Sequence, residues 1–334
     1  MITDWKEMLS SLYGAGVDGK NFFFDTGLAD SFHMKAPVLS VGNLSVGGTG
    51  KTPLVQWILE KAFERKLRTA LIARNYKARS RGIHLVDPQR SDGGIYYGDE
   101  PFMISHFFPQ AAVWTGPRKY QTAQALQSQM DVDLVVVDDG FQHRSLHRDF
   151  DLVLIDCTAP AEMDHLLPRG RLRESFSSLR RAHMVGLTKA NWAPPERLAE
   201  IRQKLPAGMP TVEIDFQMAL TRPLPEESSA ETSFLAVSGI ANPRVFEKNL
   251  KGLVPSFEHL TYSDHHEYSG DDVALILKRL RDLNCGQILT TKKDAVKLRT
   301  YSELREVLNP VRVSIQFRQE PQELYGFLDR SHRH

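Results

Sequence analysis

The chain has 334 residues, 41% of them hydrophobic, and a net charge of +1. That length predicts two domains rather than one, and near-neutrality excludes a wholesale electrostatic attraction to nucleic acid. Cys157 and Cys285 are the two cysteines and lack metal-knuckle spacing, which excludes a disulfide framework; both read as reduced core residues of a cytosolic protein.

Along the chain, Ile2, Trp5, Met8, Leu9, Leu12 and Tyr13 recur at helical spacing, followed by Phe22, Phe23, Phe24, Leu28 and Phe32. The periodicity admits two readings, a helix docked on the core or one lying in a bilayer interface. No uninterrupted apolar run approaches the ~18 residues of a spanning helix. Asp4, Lys6 and Glu7 break the pattern of a secretory leader.

APVLSV (36–41) reads as a buried strand, with a helix over 53–66 and a second strand, RTALIAR (68–74). A helix over 117–130 precedes DLVVVDDG (133–140), a strand ending in paired carboxylates, then FDLVLIDC (150–157) and AHMVGLTK (182–189). Apolar strands alternating with helices predict a mostly parallel α/β sheet with helices on both faces. At 219–233 the composition turns to proline, serine and glutamate, a linker signature. A second, smaller α/β pattern follows: strand 234–240, helices near 243–252 and 270–284, and strand 287–291. VRVSIQF (311–317) alternates and is expected to return to the first unit. The expected domains are therefore 1–35, an N-terminal helical segment; 36–218; the linker 219–233; 234–310; and a return segment, 311–334.

Between the first strand and its helix lies SVGGTGKT (45–52). Glycines let backbone N–H groups converge on phosphate oxygens at a helix N-terminus. Gly47, Gly48, Thr49 and Gly50 form the turn, Lys51 reaches the β- and γ-phosphates, and the Thr52 hydroxyl binds Mg²⁺. Ser45 stands where the usual pattern begins with glycine. Asp138 and Asp139, at the tip of a neighbouring strand, are where such a P-loop NTPase-like fold completes its magnesium site.

Transfer to a hydroxyl needs a group to take its proton. Asp99 and Glu100 of YYGDEPFMI (96–104) are candidates, expected on a turn between glycine and proline. Asp264, His265, His266 and Glu267 form a titratable cluster in the second half.

Taken together, VGNLSVGGTGKTP, GDEP, DDGFQH, LPRGRLRE, DHHEY and LTTKKDAVKL, in this order over nearly the whole chain, resemble the tetraacyldisaccharide 4'-kinase family. The resemblance implies an ATP- and Mg²⁺-dependent transferase that phosphorylates the 4'-hydroxyl of a lipid A disaccharide 1-phosphate. It places the enzyme peripherally on the cytoplasmic face of the inner membrane, and tilts residues 1–35 toward the bilayer. It makes Asp99 and His265 the catalytic pair and adds Glu100 to the metal environment. It offers Arg74, Tyr76, Arg118, Arg169 and Arg171 as substrate contacts. No nucleic-acid partner or obligate protein partner is expected. Closure of the second domain on the first is expected to bring His265 to Asp99. The sequence departs from the family at Asn75, where glycine is usual, and at the lysines of TTKKD, where the family often has glutamate.

Two rivals remain at this stage. One is a membrane-associated ATPase switch, which usually carries a lysine where Val46 stands. The other is a GTP-using protein, since TKKD (291–294) matches a short guanine-reading pattern.

Overall fold

The computed structural model describes residues 5–75, 78–224, 233–240, 243–264 and 266–331. The helices are α1 (Trp5–Asp25), α2 (Lys51–Glu64), α3 (Gly93–Tyr97), α4 (Asp99–Phe107), α5 (Lys119–Gln129), α6 (Pro195–Lys204), α7 (Pro243–Leu250), α8 (Gly270–Asp282), α9 (Lys292–Leu298) and α10 (Gln322–Arg330). The strands are β1 (Val38–Asn43), β2 (Thr69–Arg74), β3 (His84–Leu85), β4 (Ala112–Gly116), β5 (Leu134–Asp138), β6 (Phe150–Asp156), β7 (Met184–Thr188), β8 (Thr211–Leu220), β9 (Ser233–Ser238), β10 (Ser256–Thr261), β11 (Ile288–Thr291) and β12 (Leu308–Phe317).

Two compact units divide the chain: 1–86 with 108–216 and 315–334, and 87–107 with 217–314. In the first, the strand order is β8-β7-β6-β1-β5-β2-β4-β3, parallel except for β3. Every residue of β1 is buried, because helices cover both faces of the sheet. On one face Val38, Ile72, Trp114, Val135 and Val137 pack with Ala123 and Leu126 of α5. On another, Val153, Ile155, Val185 and Leu187 pack with Ile201 of α6 and with Phe141 and Leu172. The mostly parallel α/β sheet anticipated from the strand runs is the fold the chain adopts.

The second unit is a parallel sheet in the order β10-β9-β11-β12. Its β9 reads out the two-residue period: Leu235 and Val237 join the cluster containing Val273 and Ile276 of α8. Phe234 and Ala236 join Phe246 and Leu250 of α7.

Residues 87–107 belong to the second unit, although the sequence reading kept 36–218 together. The reason lies in their contacts with α9. The Phe107 ring lies 5.1 Å from the Lys292 ammonium and 5.6 Å from the Arg299 guanidinium, and Asp99 faces Lys293 and Lys297. Asp99 and Glu100 open a helix rather than sit on a turn. Pro101 suits a first helical turn, and carboxylates there meet the positive end of the helix dipole. Most of the expected linker, 225–232, lies outside the described residues.

Helix α1 is amphipathic in an inverted sense. Its polar side docks: Ser10 Oγ donates to the Leu166 carbonyl at 2.7 Å, Tyr13 to the Arg173 carbonyl at 3.1 Å, and Lys20 to the Gln142 carbonyl at 2.8 Å. At Gly14 an added Cβ would lie 2.8 Å from Leu166 Cδ1, so the helix approaches closely. Trp5, Met8, Leu12, Phe22 and Phe23 lie on the other side, each more than half exposed. Of the apolar residues read from the sequence, these five therefore do not enter the core, whereas Tyr13 docks and Phe32 packs against the cluster that contains Val38 and Ile72.

Candidate active site

The glycine-rich loop joins β1 to α2 and is braced on both flanks. On one flank, Val46 N–H donates to the Arg171 carbonyl at 2.8 Å, and the Arg171 guanidinium returns two bonds to the Val46 carbonyl at 3.1 and 2.8 Å. On the other, Thr188 Oγ1 donates to the Thr49 carbonyl and Lys189 Nζ to the Gly48 carbonyl, each at 2.9 Å. Beneath the loop, Asn43 Nδ2 donates to Thr49 Oγ1 at 2.9 Å. Gly47 and Gly50 have φ of +112° and +86°, a region that disfavours any side chain. At Gly48 an added Cβ would meet nothing within 4 Å. That open face is the one a phosphate needs.

Gly47→Ala is expected to weaken nucleotide binding at least tenfold in a fluorescent-nucleotide titration. It should also destabilise the chain by about 1–3 kcal/mol. Its Cβ would fall 1.9 Å from Arg171 Nη2, so Arg171 must release Val46. Unchanged affinity would show that the Arg171 brace is dispensable.

Parallel pairing of β1 with β5 puts Val41 opposite Asp138, and Asp139 N–H donates to the Val41 carbonyl at 2.8 Å. Both carboxylates thus reach the C-terminal edge of the sheet beside the loop, where open α/β sheets bind ligands. Asp139 lies 3.5 Å from Lys51 and 2.8 Å from Arg173. Burial opposes its ionisation, yet Lys51 and Arg173 hold its pKa below the ordinary carboxylate value. Lys119 is buried beneath this tip and donates to the Asp138 carbonyl and, at 3.4 Å, to that of Ile72. Burial pushes its ammonium pKa down to about 8, against the pull of Asp138 and Asp139.

Among the described residues no three His, Cys, Asp or Glu side chains form a ready-made metal cage. Magnesium on a nucleotide does not need one, because it takes one or two carboxylates and completes its shell with water and phosphate oxygens. The hard-oxygen set of Thr52, Asp138 and Asp139 fits that requirement. Glu100, the fourth expected ligand, is exposed on α4 in the second unit.

His143 follows the same strand tip. Burial, with Lys119 and Arg74 nearby, pushes its pKa down to about 4. An unfolded chain takes up that proton below about pH 6.5, whereas the folded one declines it until about pH 4. Stability should therefore fall as pH drops through this window, on the order of 2–3 kcal/mol for this group. Urea unfolding at pH 7 and pH 5 checks it, and His143→Gln should flatten the difference.

In the second unit, Asp99 Oδ2 lies 3.4 Å from Lys297 Nζ and 3.7 Å from Lys293 Nζ. A cavity of about 180 Å³ opens here, lined by Ser91, Asp99, Phe102, Tyr268, Lys293 and Tyr301 among others. Asp99 and residues 266–267 thus share a unit, and Lys297 of α9 touches both. His265 itself lies outside the described residues, as does Tyr76. The neighbouring His266 ring pairs with Asp272 at 3.0 Å.

Of the expected substrate arginines, Arg74 is exposed at the end of β2 and Arg118 is exposed just before α5. Arg169 pairs with Glu7 of α1 at 3.0 Å. Arg171 is engaged by the glycine loop. The TKKD match is accounted for by helix capping: Thr291 is the N-cap of α9, its Oγ1 accepting from the Asp294 N–H at 3.1 Å, and the buried Asp294 carboxylate accepts from Thr291 Oγ1 at 2.6 Å and from the Tyr268 hydroxyl at 3.1 Å.

Sequence reasoning missed Arg173, Lys119, Lys189 and Lys297. Arg173 lay in the quoted LPRGRLRE segment, and its two-residue spacing from Arg171 was the available signal. Lys297 lay in LTTKKDAVKL, but nothing local separates it from Lys292 and Lys293, and nothing local marks Lys119; strand order and helix packing give them their partners.

A family model described as Tetraacyldisaccharide-1-P 4'-kinase matches residues 5–333. The tetraacyldisaccharide 4'-kinase of Bdellovibrio bacteriovorus is 37% identical over 299 residues, covering 87% of this chain and 88% of that protein. That of Porphyromonas gingivalis is 33% identical over 344 residues, covering 96% and 94%. The crystal structure of LpxK from Aquifex aeolicus in complex with ATP superposes with a TM-score of 0.76 at 27% identity, covering 96% of this chain and 97% of that one. A braced glycine loop, a lysine at its helix and carboxylates at the adjacent strand tip agree with these likenesses, and the chain belongs to the tetraacyldisaccharide-1-P 4'-kinase family of enzymes.

Proposed function

We propose that the chain transfers the γ-phosphate of ATP to the 4'-hydroxyl of a tetraacyldisaccharide 1-phosphate at the cytoplasmic face of the inner membrane. The observation that carries this reading is Lys51, set at the mouth of the braced loop and paired with Asp139 at the β5 tip, in a chain of this family. The ATP complex of the Aquifex relative supports the choice of nucleotide.

Phosphoryl transfer asks the protein mainly for positioning and charge neutralisation. Loop N–H groups and Lys51 hold the phosphate tail. Thr52, Asp138 and Asp139 would hold Mg²⁺, which would supply charge neutralisation at the transferred phosphate, and Glu100 of the second unit would add a carboxylate to the metal's surroundings during turnover. Lys51 and Arg173 keep Asp139 ionised, the form a metal requires. Asp99 with His265 takes the acceptor's proton. Arg74, Tyr76, Arg118 and Arg169 meet the acceptor's sugar and phosphate, and Arg171 acts on the substrate through the loop it braces. On this reading turnover requires the pair of the second unit to reach the nucleotide of the first.

The exposed stripe of α1 supports a peripheral membrane role, since aromatic and aliphatic side chains on one helix face suit the headgroup level. No helix among the described residues is long and apolar enough to cross a membrane.

The test is γ-labelled ATP with a lipid A disaccharide monophosphate, followed by chromatography of the lipid fraction. Label in a bis-phosphorylated lipid is the expected result. Label released only as free phosphate would replace this reading with a nucleotide-hydrolysing switch.

A further inference from the structure

A lysine ammonium has three N–H donors and no acceptor. That of Lys297 meets three oxygens from two separate segments. It donates to the His266 carbonyl at 3.0 Å and to Glu267 Oε1 at 2.8 Å, and lies 3.4 Å from Asp99 Oδ2. Asp99 opens α4, while His266 and Glu267 lie on the loop before α8, more than 160 positions further along the chain. The side chains of Lys297 and Asp99 are 10% and 7% exposed, so their attraction is weakly screened.

We infer that Lys297 is a positioning residue, a cation that holds the Asp99 carboxylate and the loop flanking His265 in a fixed mutual arrangement for transfer. This rests on the proposed roles of Asp99 and His265. The geometry separates holding from neutralising. Lys293 approaches the same Asp99 oxygen at 3.7 Å, so a Lys297 variant keeps a cation on that carboxylate. What it loses is the tie from Asp99 to residues 266–267. Small misplacements of reacting groups cost about 10²-fold in rate. The loss should therefore appear in kcat and leave nucleotide binding, which belongs to the other unit, intact.

The experiment compares Lys297→Met, Lys297→Arg, Asp99→Asn and the double variant Lys297→Met/Asp99→Asn in full-length protein. Turnover is measured with ATP and a monophosphorylated tetraacyl disaccharide. Lys297→Met is expected to lower kcat about 10²-fold with KM for ATP unchanged within about twofold. Lys297→Arg should recover at least tenfold of that loss, because it restores a cation with several donors. The double variant should be no worse than Asp99→Asn alone, since residues acting as a unit are not additive.

Turnover of Lys297→Met within about threefold of wild type, or a double-variant loss equal to the product of the single losses, overturns the inference. Should Lys297→Met fail to fold, Glu267→Gln carries the test by loosening only the loop end. A roughly tenfold fall in kcat is expected there, and an unchanged kcat overturns the proposal. Asp99→Asn at wild-type turnover would instead remove the reading on which the inference stands. Asp99→Asn crippled beside an active Lys297→Met removes the inference alone.

Discussion

Lys51→Ala should lower transfer to the lipid acceptor by about 10³-fold or more, while the chain stays folded. Removing one preorganised donor from a developing charge typically costs 10²–10³ in kcat, and a full cation lies at the upper end. Lys51 opens α2, where its ammonium adds to the positive end of the helix dipole. Its side chain is 16% exposed, so water replaces it poorly. Loss of Lys51 also removes a cation beside Asp139, but Arg173 remains at 2.8 Å, so the carboxylate keeps a partner and the fold survives. Quantifying labelled lipid against ATP concentration, alongside a thermal melt, separates the two effects. Activity above about a tenth of wild type in a folded Lys51→Ala protein would mean that the loop does not handle the transferred phosphate.

The triple variant Trp5→Ser, Leu12→Ser, Phe23→Ser should lose vesicle binding at least 10²-fold. Transferring one such side chain out of water contributes about 1.5–3 kcal/mol, and three together exceed the roughly 3 kcal/mol that a hundredfold change in partition represents. All three lie on the exposed side of α1, while docking is carried by Ser10, Tyr13 and Lys20. The melting temperature should therefore hold. Co-sedimentation with vesicles containing anionic lipid reads the binding, and a short-chain soluble acceptor reads turnover away from the bilayer. If the triple variant sediments with vesicles as the wild type does, the stripe is not the membrane contact. A lowered melting temperature would mean that the stripe serves the fold instead.

These expectations draw unequally on sequence and structure. The first unit's central strands were legible because β1 and β5 are continuous apolar runs ended by glycine or by carboxylates. Burial on both faces leaves no other composition for such strands. Thr211–Leu220 (β8) was not recognised, because it is buried on alternate residues only over its first half and carries polar side chains between them. Asp99 was named as a site residue but placed on a turn, since glycine and proline flank turns and first helical turns alike. α1 was found by its period. Which side of it met the protein was undecidable, because period reveals that a stripe exists and not what covers it.

The amino-acid order by itself determined the glycine loop and its helix, the paired carboxylates ending a later strand, and the mostly parallel sheet that makes that strand the neighbour of the first. Each follows from short-range rules: backbone freedom at glycine, helix dipoles and unbroken apolar runs. Only the tertiary structure decided that 87–107 joins the second unit, that Arg171 and Arg173 divide bracing from charge pairing, and that Lys297 reaches both Asp99 and Glu267. Those choices depend on side chains tens to hundreds of positions apart. A long flexible cation meets whichever acceptor the packed elements place within its reach, and no local pattern records that placement.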